Sequence, residues 1–224
     1  MRLADLARLR GAAYRFLGGV FLYPDVQWIA ALPQMAGGLL AESRWLAAFV
    51  FWGPLRRLLS SLQETDGTSR SALEAAYVGN FVVASEVAPC LPYESAYLPR
   101  EAAGWTLAEL DREYALAGFP MDPSRGEHPD HAAVELEFMS LLCGEEAEAW
   151  RRRNLGDGVE RLDREAGFLD RHLGRWFPEF ALRTAERDGD GFYTRASEAA
   201  HAFIAHDRGL ITALHGRYRK VAEG

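Results

Sequence analysis

The sequence EHPDH at residues 127–131 runs directly into AAVELEFM at residues 132–139. The first five of these residues hold two acids and two of the six histidines of the chain, with a proline between the histidines. Val134 and Phe138 are four residues apart, which places them on one face of a helix. The pattern therefore predicts a loop of ionisable side chains that leads into the N-terminus of a buried helix.

Helical spacing of apolar residues extends over most of the chain. One set runs from Leu3 to Val20, a second from Leu46 to Leu62 with a break at Gly53-Pro54, and a third from Val159 to Leu173. No segment shows the sustained alternation of β-branched residues that is typical of strands. We therefore predict an all-α fold in which many helices form one compact domain.

The length of 224 residues favours a single domain over residues 1–224. Within it, residues 119–129 contain several helix breakers, namely Pro120, Pro123, Gly126 and Pro129. This composition predicts a hinge at residues 119–129 between lobes of about 1–118 and 130–224.

Local signals set the expected ends of two helices. Thr106 and Glu109 have the spacing of a capping box, which predicts a helix that begins near Thr106 and ends before Gly118. The sequence WFPEF at residues 176–180 indicates core aromatic residues at the end of another helix.

Bulk composition excludes several functions. The formal net charge of −7 argues against nucleic-acid binding, because such proteins present a basic surface. No apolar run is long enough for stable membrane insertion, and no secretory signal opens the sequence, so we expect a cytoplasmic location. The two cysteines show no CxxC spacing, and neither a Walker nor a GxGxxG loop is present, so we predict no cofactor.

The acidic histidine-rich loop at residues 127–131 admits more than one interpretation. His131 and Glu135 share a helical face and His128 precedes them, so these three residues could bind a metal ion in a hydrolase. The H-E-x-x-H pattern of zinc proteases is absent, however, and Pro129 separates the histidines. Alternatively, Asp130 could simply cap the following helix.

A second loop, PYESAYL at residues 92–98, is rich in aromatic residues. Flanking prolines favour an extended or turning backbone here. Its large side chains either anchor the loop to the core or line a pocket, and the sequence does not distinguish these alternatives.

Taken in order, these motifs resemble the TorD/DmsD family of cytoplasmic chaperones for molybdenum-containing oxidoreductases. The EHPDH and ELEFM segments resemble the most specific signature of the family, and residues 92–98 resemble its P-x-x-S-x-Y-L segment. Further matching segments lie between about residues 10 and 210: Tyr77 to Phe81, FLDRHL at 168–173, Trp176, Pro178, Phe180, and GFY at 191–193.

The resemblance implies an all-helical protein without catalytic activity. Members bind the twin-arginine leader and the apo form of a partner's catalytic subunit, and they delay its export until the molybdopterin cofactor is inserted. The motif positions then suggest three groups of leader-binding residues: Glu127, Asp130 and Glu94 for the arginines, His131 to orient Asp130, and Tyr77, Phe81, Pro92, Tyr93, Tyr97 and Leu98 for the apolar stretch.

The sequence departs from relatives in one respect, because Tyr93-Glu94 replaces the Trp-Gly that many of them carry. The extra carboxylate alters the expected groove and bears on the choice of client. The resemblance is compatible with a monomer or with a dimer formed by exchange of lobes. A permanent accessory subunit of a reductase is a further alternative to a chaperone.

Overall fold

The structure, a computed structural model, describes residues 2–63, 70–82, 90–119, 121 and 128–222. The predicted role of Glu127 lies outside these residues, as does most of the predicted hinge at 119–129. The division into two lobes and the oligomeric state therefore remain predictions.

Helices account for nearly all of the described residues, which confirms the all-α prediction. A π-helical turn at Val78–Val82 extends α5, and a 3-10 turn covers Glu94–Tyr97. Within the described ranges no helix is both long and apolar enough to cross a membrane. The helices are α1 (Leu3–Val20), α2 (Val26–Ala41), α3 (Ser43–Leu46), α4 (Trp52–Gln63), α5 (Arg70–Tyr77), α6 (Arg100–Ala117), α7 (Ala132–Arg151), α8 (Leu155–Arg171), α9 (Leu173–Asp188) and α10 (Phe192–Ala222).

The helix that follows the EHPDH loop, α7, packs along the length of α1. Two glycines of α1 allow this close approach. A Cβ atom on Gly18 would lie 3.1 Å from the carbonyl oxygen of Ala133 and 3.3 Å from the Cβ of Leu136. One on Gly11 would lie 3.3 Å from the Cβ of Cys143. The seven-residue spacing places both glycines on the face of α1 that contacts α7.

Aromatic side chains join α6 and α8 to α7. The Phe138 ring lies 4.7 Å from that of Tyr114 on α6 and 4.8 Å from that of Phe168 on α8, centroid to centroid. All three side chains are buried. Each such ring removes a large apolar area from water, so these contacts fix α6 and α8 against α7.

A buried ion cluster fastens α1 to α7, α8 and α10. The guanidinium of Arg10 donates hydrogen bonds to Glu146, Glu165 and Asp207, and the Tyr14 hydroxyl donates to Asp207 at 2.8 Å. Burial raises the pKa of Glu165 to about 8, although Arg10 opposes the shift. One cation thus serves three acids, and holding Glu165 protonated near neutral pH limits the excess buried negative charge.

Several local predictions were wrong. Helix α6 begins at Arg100, and Thr106 lies inside it with its hydroxyl bonded to the carbonyl of Ala102 at 3.1 Å. The predicted end is confirmed, because Gly118 takes a left-handed φ of 64°. Gly53-Pro54 lies in the first turn of α4, where proline is tolerated. The run from Val159 to Leu173 is interrupted at His172, so the core aromatics at 176–180 lie near the start of α9.

Candidate peptide-binding site

The two motifs singled out in the sequence meet in the structure. Tyr93 and His131 form an antiparallel bridge, and the backbone N–H of Glu94 donates to the carbonyl of Asp130 at 2.9 Å. The N–H of Ala132 donates to the carbonyl of Pro92 at 2.8 Å. The loop at residues 92–98 is therefore held by backbone bonds against the start of α7.

Asp130 is buried and strengthens this junction. One of its carboxylate oxygens accepts the backbone N–H of Ser95 at 3.0 Å. The sequence allowed Asp130 as the cap of α7. The cap is instead His131, whose Nδ1 accepts the N–H of Ala133 at 3.1 Å. Burial, with a smaller effect from His128, lowers the pKa of His131 to about 4, so the imidazole is neutral and can accept.

Glu94 connects the same loop to the junction of α8 and α9. Its carboxylate lies 2.8 Å from Nδ1 of His172, and both side chains are buried. Burial disfavours the imidazolium, but the carboxylates of Glu113, 3.9 Å from Nε2, and of Glu94 outweigh it and raise the pKa of His172 to about 9. Burial raises the pKa of Glu94 as well, and His172 opposes that shift. The protonated His172 therefore donates to Glu94 at neutral pH, and this buried bond holds the loop on the C-terminal helices.

Glu135 lies one turn into α7 and is fully buried. The indole N–H of Trp176 donates to its carboxyl group at 3.1 Å. Burial raises the pKa of Glu135 well above the usual range, and the nearby Glu94 raises it further. The ring of Tyr97 stacks on the same Trp176, with ring centroids 5.5 Å apart.

The predicted apolar residues divide into core and surface positions. Tyr77 and Phe81 are buried, and their rings pack on each other with centroids 5.1 Å apart, so they belong mainly to the core. Tyr93, Tyr97 and Leu98 are partly exposed beside the bridge to α7. They form the accessible part of the predicted leader-binding set.

The metal-site alternative does not match the arrangement of the described side chains. Nδ1 of His131 serves as a helix cap, and Glu135 is buried against Trp176. Among the described His, Cys, Asp and Glu residues, the atoms close enough to share an ion belong to a different set: Glu109, Glu113 and His172. Arg171 already pairs with both glutamates of that set.

Sequence reasoning overlooked a groove between α1 and α2 that opens beside the start of α7. One part of it is a cavity of about 610 Å³ lined by Tyr23, Asp25, Ala133 and Glu137 among others. The Tyr23 ring is 45% exposed and packs edge-on against Tyr77, with centroids 5.4 Å apart. The groove therefore borders Tyr77, a buried member of the predicted set.

Comparison with known proteins places the chain in a family. The family model "Nitrate reductase delta subunit" matches residues 50–182. The chain is 34% identical to the selenate reductase assembly chaperone protein of Thauera selenatis, with 69% of this chain and 78% of that protein aligned. It is 31% identical to the chlorate reductase assembly chaperone protein of Ideonella dechloratans, over 66% and 76% of the two chains.

A more distant relative and a solved structure agree with this placement. Chaperone protein TorD of Vibrio cholerae is 27% identical, over 71% of this chain and 72% of its own. A crystal structure assigned to a redox enzyme maturation protein of Archaeoglobus fulgidus aligns with a TM-score of 0.56 over 87% of this chain and 93% of that one. At 21% identity, this last similarity concerns the fold.

The family and these named relatives are assembly chaperones rather than catalytic enzymes, as predicted. The chain belongs to the TorD/DmsD family.

Proposed function

We propose that this protein is a cytoplasmic chaperone that binds the twin-arginine leader and the apo form of the catalytic subunit of a molybdopterin oxidoreductase. It assists cofactor insertion and prevents premature export. Similarity to chaperones named for the assembly of chlorate and selenate reductases supports this proposal. The client's own substrate is a property of the client, not of this chain.

One observation carries the proposal: the loop at 92–98 is locked to the start of α7, and the residues that lock it are those of the family signature. Asp130 and Glu94 are buried and bonded within the protein. We therefore assign them the role of positioning the loop, whose partly exposed side chains Tyr93, Tyr97 and Leu98 meet the guest. Glu127 remains the candidate that pairs with a guest arginine.

The chemistry of a leader divides the binding energy between its two parts. Release after maturation suits an affinity near micromolar, about −8 kcal/mol. Exposed pairs of arginine and carboxylate contribute only about 0–1 kcal/mol each. The apolar stretch must then supply most of the affinity, and the arginines supply specificity and register.

Isothermal titration calorimetry with a twin-arginine leader peptide tests this function. We expect binding that weakens when both arginines become alanine and that is lost when the apolar stretch is scrambled. Absence of binding to the native leader, or equal binding of all three peptides, would overturn the proposal.

A matched pair of variants tests the positioning role of Asp130. Asp130→Asn keeps an oxygen that can accept from the N–H of Ser95, so we expect leader binding close to wild type. Asp130→Ala removes the acceptor, and we expect at least about tenfold weaker binding because the loop loses its anchor. Equal losses in both variants would instead indicate that the charge of Asp130 contacts the guest.

A permanent accessory subunit is a second candidate, favoured by the description "Nitrate reductase delta subunit" of the matching family model. Purification of the mature exported client distinguishes the two. A chaperone is absent from that preparation, whereas a subunit is present in stoichiometric amount.

A further inference from the structure

Trp105 on α6 stands out among the tryptophans of the chain. It is 80% exposed, whereas each of the other five tryptophans is at most 40% exposed. No hydrogen bond or ring contact joins its indole to another described residue. Tryptophan side chains are mostly buried in folded proteins, because they carry a large apolar area. An indole left almost wholly in water is therefore typical of a surface that a partner covers.

The part of α6 around Trp105 is uncharged and has small side chains next to the indole. The sequence AAGWTLA at residues 102–108 contains no charge. Gly104 and Ala108 are exposed, and a Cβ atom on Gly104 would have no heavy atom within 4 Å. A guest can therefore pack on the indole and on the helix surface beside it without burying a charged group.

This part of α6 is continuous with the loop at residues 92–98. Only Pro99 separates Leu98 from α6, and α6 packs on the 3-10 turn at Glu94–Tyr97. Two Cα–Cα steps and five helical residues keep the Cα atoms of Leu98 and Trp105 within about 16 Å of each other. A guest helix of about eleven residues has this length, so one apolar segment can contact both the loop and Trp105.

The charges nearest to Trp105 on its side of α6 are acidic. Glu101 lies one turn before Trp105 and Glu109 one turn after it, and both are exposed. Glu109 is paired with Arg171 at 3.3 Å, whereas Glu101 forms no ion pair with a described residue. The next cation on this side of the helix, Arg112, lies two turns away. An acidic flank favours a guest whose charges are cationic over a guest with acidic residues.

We propose that Trp105 anchors the apolar stretch of the client leader, so that the guest-binding surface extends from Tyr93, Tyr97 and Leu98 onto the first half of α6. This inference rests on the proposed function and adds to it a residue that determines affinity for the apolar part of the leader. The leader suits this surface because its apolar stretch can cover the indole and its arginines have the opposite sign to the acidic flank. Tryptophan is among the residues that contribute most to binding when an interface buries them.

Leu116 provides a matched control, because it is 74% exposed on the same helix and lies about 17 Å along the helix axis from Trp105. Both side chains are largely in water, so Trp105→Ala and Leu116→Ala should keep the urea midpoint of wild type. In calorimetry with a twin-arginine leader peptide, Trp105→Ala should bind about tenfold or more weakly and Leu116→Ala should bind like wild type. Wild-type affinity of Trp105→Ala, or equal losses in both variants, would overturn the inference while the proposed function stands. If the wild-type protein itself does not bind the leader, both are overturned.

Acrylamide quenching of tryptophan fluorescence tests the contact without relying on a loss of affinity. Saturating leader peptide should protect Trp105 from the quencher and shift the emission to shorter wavelength. Trp45 lines the groove between α1 and α2 and reports on binding there. Protection should persist in Trp45→Phe and disappear in Trp105→Phe. The opposite result, or no protection of the wild-type protein at saturation, would overturn the inference.

Two further measurements identify what covers the indole. A leader with both arginines changed to alanine, added to saturation, should still protect Trp105, because the apolar stretch makes the contact; an unprotected Trp105 would overturn the inference. Sedimentation of the free protein addresses a second copy of the chain as the occupant. If Trp105→Ala dissociates a wild-type dimer and leaves leader affinity unchanged, Trp105 belongs to a self-association surface and the inference is overturned. Leader affinity that depends on Trp105 supports it in either oligomeric state.

Discussion

The ion pair between Glu94 and His172 predicts a defined loss of stability as pH rises. Its two atoms lie 2.8 Å apart in a buried setting, and the pKa of His172 rises from 6.5 to about 9. That difference corresponds to roughly 3 kcal/mol of stability. Because the folded state binds the proton more tightly, this contribution is complete below pH 6.5 and is lost as pH rises toward 9.

The variant Glu94→Gln/His172→Gln carries neither charge and serves as the reference. We expect the unfolding free energy of wild type, relative to this reference, to fall by roughly 2–3 kcal/mol between pH 6.5 and 9. The single variant His172→Gln leaves a buried carboxylate unpaired and should be about 3–5 kcal/mol less stable than wild type at pH 7.

Urea denaturation followed by tryptophan fluorescence at a series of pH values measures these quantities. Subtracting the profile of the reference variant removes other titrating groups, including Glu165. A constant difference between wild type and reference from pH 6.5 to 9 would refute the assignment of a protonated His172. The assignment would also be refuted if His172→Gln were as stable as the double variant at pH 7.

Three further predictions concern the core. Gly18→Ala should destabilise the protein by about 1–3 kcal/mol, because the new methyl group meets the backbone of α7. Thermal unfolding measures this loss. The control Gly37→Ala, whose methyl group has no heavy atom within 4 Å, should be neutral or stabilising. Trp176→Phe should cost about 1–3 kcal/mol, because it leaves the buried Glu135 without its indole donor; a variant of unchanged urea midpoint would contradict this. Burial raises the pKa of Glu165 to about 8, so the folded state holds a proton that the unfolded state releases from about pH 4.5, and stability falls as pH rises through this interval. Glu165→Gln should therefore flatten the fall between pH 5 and 8, and an unchanged slope would contradict the shift.

The sequence predicted the pairing of motifs better than the role of single residues. Residues 92–98 and 127–131 both stood out, and the structure joins them through the bridge of Tyr93 and His131. Periodicity could not show that Asp130 turns inward to the N–H of Ser95 or that His131 caps α7 instead. The position of Asp130 depends on a partner 35 residues away in sequence, because the bridge aligns the two segments.

Helix boundaries were missed where tertiary contacts outweighed local signals. The capping-box spacing at Thr106 and Glu109 predicts a helix start, but α6 begins six residues earlier, at Arg100. The break at His172 occurs within an apolar period that continues through Leu173. At this break His172 forms its buried bond with Glu94.

The groove between α1 and α2 was not predicted, although the sequence contains a feature that belongs to it. Residues 26–41 contain no charge, which is visible in the sequence. An uncharged helix is ordinarily a buried helix, so composition alone gives no reason to expect an exposed face. Only the packing of α2 on one face, with Ala31 and Gly38 facing open space, distinguishes the two.

The sequence by itself determined the all-α fold and the TorD/DmsD family, because helical periodicity and ordered motifs are local properties of the chain. The tertiary structure alone decided which ionisable side chains are buried and which are accessible. Burial depends on residues brought together from distant segments, as with Glu94 and His172, and burial sets their charge. The same packing buries Asp130 and Glu94, which were predicted to receive a guest's charge, in bonds that hold the loop, and it left the uncharged face of α2 exposed.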